Sequence, residues 1–433
     1  MKKLLLLTVI CCSLLHCEAK KTSEITIDIA SEIVLGHKEI IHSEVLNEDR
    51  EVWIHMPASY YDVLYTKPKY PVLYLLDGPA HFYAVSGMMK QLSSANGNSV
   101  VPEMIIVAIS NTDRSRDLTP TSAGMDFFSG DSIQYASGGG AQFLEFMEKE
   151  LIPHIDKTYP AAPYRTFVGH SFGGLAVLNA LITTPVLFDN YIAIDPSLWW
   201  DDQTFLKTIT SNLSAPNFAG KSLYVGVANT MKPGMSIKKV VQDRTKSTVH
   251  IRSILEFVKD MEANKENSLH FDWKYYPEDG HGSVPLIATY DAFRFLFAWH
   301  ELTGINQFFD PKTTATAADL IALITTHYKI ISMHYGYKTC APEALLNSLG
   351  YEFMEMDGAT EKARAVFALN IKNFPNSSNV YDSMGDFQLA QLDSLQALAL
   401  FQKALAVGEN EFSQEKIDLL KAKLMGADPL PLK

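Results

Sequence analysis

A chain of 433 residues with 49 acidic and 37 basic side chains, a formal net charge of −12, lacks the clustered lysine and arginine that a phosphate backbone attracts, and nucleic acid is excluded as its partner. With 47% hydrophobic and 20% charged residues the composition is globular, and the length exceeds one ordinary small domain.

The chain starts with Lys2-Lys3 and an apolar run from Leu4 to Leu15, too short to cross a bilayer as a helix, which reads as a signal peptide over residues 1–19. Export to the periplasm or the medium is expected. Leu14-Leu15-His16-Cys17 loosely resembles a lipoprotein signal, so a lipid anchor on Cys17 is the alternative and the one route to a membrane. Without the leader, Cys340 is the last cysteine and no intrachain disulfide can form; it reads as a small buried hydrophobe. The sequence displays no cluster of metal ligands and implies no cofactor.

Alternation in Ile25–Ile29, Ile40-Ile41 and Val52–Met56 predicts antiparallel strands, with the turn into the last at Asn47–Arg50. Short, mostly apolar runs follow at 71–76, 104–109, 166–168, 191–194, 223–227 and 271–276. Runs of this kind, buried on both faces, predict an α/β sandwich with a mostly parallel sheet covered by helices.

Gly169-His170-Ser171-Phe172-Gly173 lies between one such strand and the apolar run Leu175–Leu181, the strand–turn–helix of a nucleophile elbow. Small residues are needed at 169 and 173 because the turn holds Ser171 in a strained conformation. The Phe172 N–H is the expected first oxyanion donor, and the second is expected from Asp77-Gly78-Pro79-Ala80-His81, where Pro79 has no N–H and Gly78 or Ala80 must donate. Serine needs a base. His281, after the last strand in Pro277-Glu278-Asp279-Gly280-His281-Gly282, is in the right place, whereas His170 is expected to point away from it. The acid of a triad normally follows the penultimate strand, where Asn229 stands instead. Asp243, Glu256, Glu278 and Asp279 are the carboxylates that could replace it; Asn229 itself or a dyad are further options, and Glu278 or a dyad is favoured because Glu278 reaches His281 locally.

These segments, together with Arg114–Pro120 and Asp195-Pro-Ser-Leu-Trp-Trp200, resemble the putative-esterase family of α/β-hydrolases, and within it the siderophore esterases of the enterobactin and salmochelin type, over about residues 35–300. The resemblance implies ester chemistry carried by Ser171 and His281 on a small-molecule substrate, and some relatives look like dyads. Trp199 and Trp200 are candidates to stack on an aromatic or sugar ring, with burial in the core as the alternative. Arg114 and Arg116 are candidates to hold an anionic substrate, with pairing to Asp113 or Asp117 as the alternative.

After the esterase domain (20–305) a linker and helix (306–340) lead into 341–425. There Gly350 and Gly385, Ala363 and Ala397, and Phe367 and Phe401 recur at a spacing of 34 or 35 residues, a tetratricopeptide-like period. The segment Ala317–Met333 is expected to cap these helices, whose groove suits a peptide or another copy of the chain. The competing reading is a noncatalytic scaffold with a relic hydrolase domain acting through the repeats.

Overall fold

A computed structural model describes residues 33–126, 129–212 and 218–424. The chain divides into Met1–Leu35 and Gly36–Lys433; the proposed leader, Cys17 and the strand expected at Ile25–Ile29 lie outside the described residues. No helix among these residues is long and apolar enough to cross a membrane.

Among the described residues eight strands form one sheet: β1 His37–Ser43, β2 Glu48–His55, β3 Tyr70–Leu75, β4 Ile105–Ile109, β5 Ala161–His170, β6 Asn190–Ile194, β7 Ser222–Ala228 and β8 His270–Tyr276. Their spatial order is β1-β2-β4-β3-β5-β6-β7-β8. β1 pairs antiparallel with β2 and β2 with β4, and all later pairs are parallel. Every residue of β3, β4 and β6 is buried, as the apolar runs require of strands with helices on both faces. The first turn falls at Glu44–Asn47 rather than 47–50: Asn47 takes the positive φ of 52°, a conformation asparagine tolerates, and Glu48 already pairs with Ser43.

The helices between strands are α1 Gly78–Ser93, α2 Arg114–Leu118, α3 Gly140–Phe146, α4 Ile152–Thr158, α5 Phe172–Thr183, α6 Trp200–Asn212, α7 Ile237–Val240 and α8 Val249–Ala263. After β8 come α9 Val284–Leu296, α10 Ala317–Tyr335, α11 Glu343–Glu355, α12 Thr360–Asn373, α13 Ser378–Ala390, α14 Ser394–Val407 and α15 Glu411–Leu424. Phe167, Leu175, Leu178 and Tyr191 belong to the large core between sheet and helices. A second core holds Leu320, Ile324, Phe353, Phe367 and Phe387.

The C-terminal helices repeat one contact. A Cβ on Gly350 would lie 2.5 Å from the Phe367 ring, and one on Gly385 would lie 2.4 Å from the Phe401 ring, so each hairpin closes only with glycine at that position. Helix α10 joins this bundle through Leu320 and Ile324 and also meets the sheet domain: Tyr335 packs 5.0 Å from Tyr164, and His334 stacks 4.2 Å from Trp299. The contacts fall at the amino ends of the strands. Glu343, 1% exposed, accepts the Thr66 N–H at 2.9 Å just before β3 and the Ser377 hydroxyl at 2.7 Å.

Candidate active site

Function in a parallel sheet lies at the carboxyl ends of its strands, and here β5 runs straight into α5 with Ser171 as the single residue between them. Its φ of 60° and ψ of −115° fall outside the regions open to a residue with a side chain, a strain of about 1–3 kcal/mol. Sterics explain the flanking glycines: a Cβ on Gly169 would lie 2.3 Å from the Gly173 carbonyl carbon. The turn is held by the β6 side, where Ser171 N–H donates to Ile194 O and Ser197 N–H to Ser171 O, each at 3.0 Å. The Ser171 hydroxyl lies 3.1 Å from Ser197 Oγ.

His281 stands on the loop between β8 and α9, and its Nδ1 lies 2.5 Å from Asp195 Oδ2. Asp195 follows β6 with a φ of 42° and is fully buried. Ala228 N–H, at the end of β7, donates to Oδ1 at 3.0 Å, and His250 Nε2, in the first turn of α8, lies 2.8 Å from Oδ2. Burial alone pushes this carboxyl up, but the hydrogen bonds from His250 and His281 override it and hold the group far below the usual carboxylate range. Asp195, His250 and His281 also bring three potential ligand atoms within 4.8 Å of one another; separations of 2.5 and 2.8 Å between nitrogen and oxygen fit protons between them, not an ion that both atoms must reach at about 2 Å.

The partner of His281 is therefore Asp195, and Glu278 does not meet it. Glu278 is exposed on a loop fastened through its backbone, where Asn229 Nδ2 donates to Pro277 O and Asn229 N–H to Asp279 O, both at 2.8 Å; Glu256, on α8, is exposed as well. Asn229 thus grips the loop and not the imidazole. Asp243 is turned to Thr245 and Thr248. His170 departs from expectation, its ring lying 4.5 Å from that of His281. Burial, with the nearby His281, pushes His170 down to about 4, and its Nε2 has no hydrogen-bond partner.

The N–H groups of Phe172 and Gly78 open α5 and α1, the helix positions without a backbone acceptor of their own. Ala80 is ruled out as a donor, since its N–H is used by Asp77 O at 2.9 Å. Arg114 is committed to Asp77 through Nε at 2.6 Å and Nη2 at 2.9 Å, and Arg116 to Glu48 and Asp117. Both guanidinium groups are thus tied to carboxylates of the chain, Arg116 to Asp117 as the pairing alternative has it and Arg114 to Asp77 instead of Asp113 or Asp117. Trp200 is 2% exposed, donates to Thr121 O at 2.9 Å and packs edge-on against Phe172 at 5.0 Å; it belongs to the core, while Trp199 is half-buried with its ring 6.1 Å from that of Phe172. A cleft of about 390 Å³ between α1 and α9, lined by His81, Val85, His170, Gly282 and Leu286, opens next to the elbow.

A strained serine on a strand–helix elbow, with a carboxylate-bound histidine after the last strand, defines an α/β-hydrolase. The chain belongs to the putative-esterase family, whose model ("Putative esterase") matches residues 43–246. An IroE-like serine hydrolase of known structure from Shewanella oneidensis is 30% identical with a TM-score of 0.63, over 78% of this chain and 99% of that one. Ferri-bacillibactin esterase BesA of Bacillus subtilis is 33% identical over 34% of this chain and 57% of its own length. The siderophore enterobactin esterase of Emericella nidulans is 34% identical over 31% of this chain and 48% of its own. The chain thus spans about half the length of the curated relatives it matches.

Proposed function

We propose that the chain is an exported serine esterase that cleaves a carboxylic ester of siderophore or aromatic type through an acyl-enzyme. The observation that carries this reading is the convergence at one sheet edge of Ser171, held at φ 60° on the elbow, and a histidine that packs against the neighbouring His170 ring and whose Nδ1 is bound to a buried carboxylate. With Nδ1–H donated to Asp195, the nitrogen left to accept a proton is Nε2. Ser171 Oγ leaves Ser197 and attacks the ester carbonyl while His281 Nε2 takes its proton. Phe172 and Gly78 N–H groups receive the oxyanion. The imidazolium, stabilised by Asp195, then protonates the departing alkoxide, and water repeats the sequence to release the acid.

The siderophore assignment is supported by the activities for which the two curated relatives are named. The cleft beside the elbow is at the small end of ligand sites, so it suits the fragment around the scissile ester, with the bulk of a chelator outside it. Export rests on the basic and apolar start of the sequence. The helical hairpins, on their tetratricopeptide-like spacing, are assigned to binding a peptide segment.

A fluorophosphonate probe labels only an activated serine, so the test is to locate the label by mass spectrometry and measure turnover on a panel of esters. Label on Ser171 with ester turnover is the expected result. An unlabelled, inactive but folded chain would sink the reading in favour of a noncatalytic scaffold.

A further inference from the structure

We propose that His250 is a positioning residue for ester hydrolysis, acting through Asp195; the inference rests on the serine-esterase reading above. Three elements converge on this carboxylate. Ala228 from β7 takes Oδ1 at 3.0 Å, while His281 Nδ1 at 2.5 Å and His250 Nε2 at 2.8 Å share Oδ2. A carboxylate oxygen offers two lone pairs, so two imidazole N–H donors saturate it. His250 has a side chain only 13% exposed, and its ring stands edge-on to that of His281 at 5.2 Å and 86°.

Two consequences follow from a shared oxygen. Donors on both sides of the carboxylate prevent it from rotating away from His281, which matters because Asp195 sits on a turn with positive φ and not on a regular strand. The negative charge is also divided between two imidazoles, so His281 faces a weaker counter-charge than in a pair with one histidine. The charged and titratable groups on the elements that meet His250 are Asp195, His281 with Asp279 on its loop, His170 behind His281, and Asp201 and Asp202 at the start of α6, which reaches α8 through Gln203 and Ser253. On its own side, Asp243 and Arg252 are both tied to Thr248. The ordinary role for such a residue is packing in α8, and the test must separate the two.

The experiment compares His250→Phe, which removes the donor, with His250→Gln, whose amide N–H reaches the same oxygen, in the full chain. For the Phe variant kcat falls about tenfold to a hundredfold, the worth of one hydrogen bond to a charged group, with KM within about twofold. The acid limb of kcat/KM moves to higher pH, because Asp195 then gives its whole charge to His281 and protonation of the base is easier. His250→Gln returns both quantities toward the wild type. The low-field proton resonance of the short His281–Asp195 hydrogen bond shifts in the Phe variant and returns in the Gln variant. That signal needs no substrate, so it judges His250 even if the wild-type chain took no probe and cleaved no ester, a result that would count against the esterase reading alone. If the Phe variant does not fold, His250→Asn, too short to reach Oδ2, replaces it. A donor-less variant with unchanged kcat, pH limb and resonance, or a Gln variant as impaired as the donor-less one, overturns the proposal.

Discussion

At the carboxyl edge of the sheet, Ser171 and Asp195 adopt positive φ, a carboxylate is fully buried, and His170 is left with an unpartnered ring nitrogen. At the amino edge, where α10 and α11 meet the same strands, contact is made by rings and by one buried carboxylate, Glu343, whose oxygens are matched to Thr66, Ser377 and Asn379. One edge concentrates strain and charge; at the other, both carboxylate oxygens of the buried Glu343 meet donors. Strain and buried charge oppose folding and persist where the surrounding structure over-determines them, so the contrast locates chemistry at the first edge and cohesion at the second. It also requires that substitutions at the two edges fail in different ways.

The largest separation is expected from Ser171→Ala and His281→Ala. Each should lower kcat by about 10⁴–10⁶-fold and the double variant scarcely more, because members of one catalytic unit are not additive. Melting temperatures should hold or rise slightly for Ser171→Ala; turnover in either purified variant near the wild-type level would erase the distinction between the edges. Next comes Asp195→Asn, expected to cost about 10⁴ in kcat by favouring the wrong imidazole tautomer, against less than about tenfold for Glu278→Ala. A collapse in Glu278→Ala alone would return the acid to the loop of His281.

The elbow was legible because its spacing has a steric cause, the near-contact of Gly169 and Gly173. His281 was legible by its place after the last strand. Asp195 lies within a segment of family likeness, but the rule that the acid follows the penultimate strand points one strand past it, to the end of β7. The available signal was an aspartate at the carboxyl end of β6, which lies between β5, bearing the serine, and β7. His250 left no such trace: it lies in a helix far from any motif, and only the packing of α8 brings it to Asp195. Arg116 and Trp200 depart from expectation for a related reason. Residue type says that a guanidinium or an indole can bind a ligand, whereas Glu48, Asp117 and Phe172, distant or adjacent in sequence, decide that it binds the protein. The sheet is more legible in the sequence than the site, since burial on both faces writes itself into continuous apolar runs while convergence of side chains does not.

At the amino edge, Glu343→Ala should leave kcat for a small soluble ester within about twofold but destabilise the chain by about 2–4 kcal/mol, because three donors lose their acceptor. Denaturant unfolding followed at several wavelengths measures this. A loss of turnover without a loss of stability would mean that the helices complete the active site.

The smallest effect compares one histidine from each edge. His170 is pushed down to about 4 by burial first and by His281 second; His300 is likewise pushed down to about 4, by burial, against the Ser99 carbonyl that accepts from its Nδ1 at 2.9 Å. Both have folded values below the unfolded value of about 6.5. Between roughly pH 6.5 and 4 the unfolded chain therefore binds a proton at each that the folded chain refuses, so stability is full above that window and declines as the pH falls through it, by up to about 1.4 kcal/mol per pH unit for each group. Replacing either with a neutral residue, His170→Phe or His300→Asn, should flatten the decline by up to one proton. The edges then part company in activity: His170→Phe should also alter the pH profile of kcat/KM, because the ring it replaces stands against His281, while His300→Asn should leave that profile in place. Urea titrations at half-unit intervals between pH 4 and 7, paired with kcat/KM at the same points, test both parts. An unchanged slope in both variants would remove buried histidines as the cause of acid sensitivity, and a shifted activity profile in His300→Asn would show that the two edges are coupled.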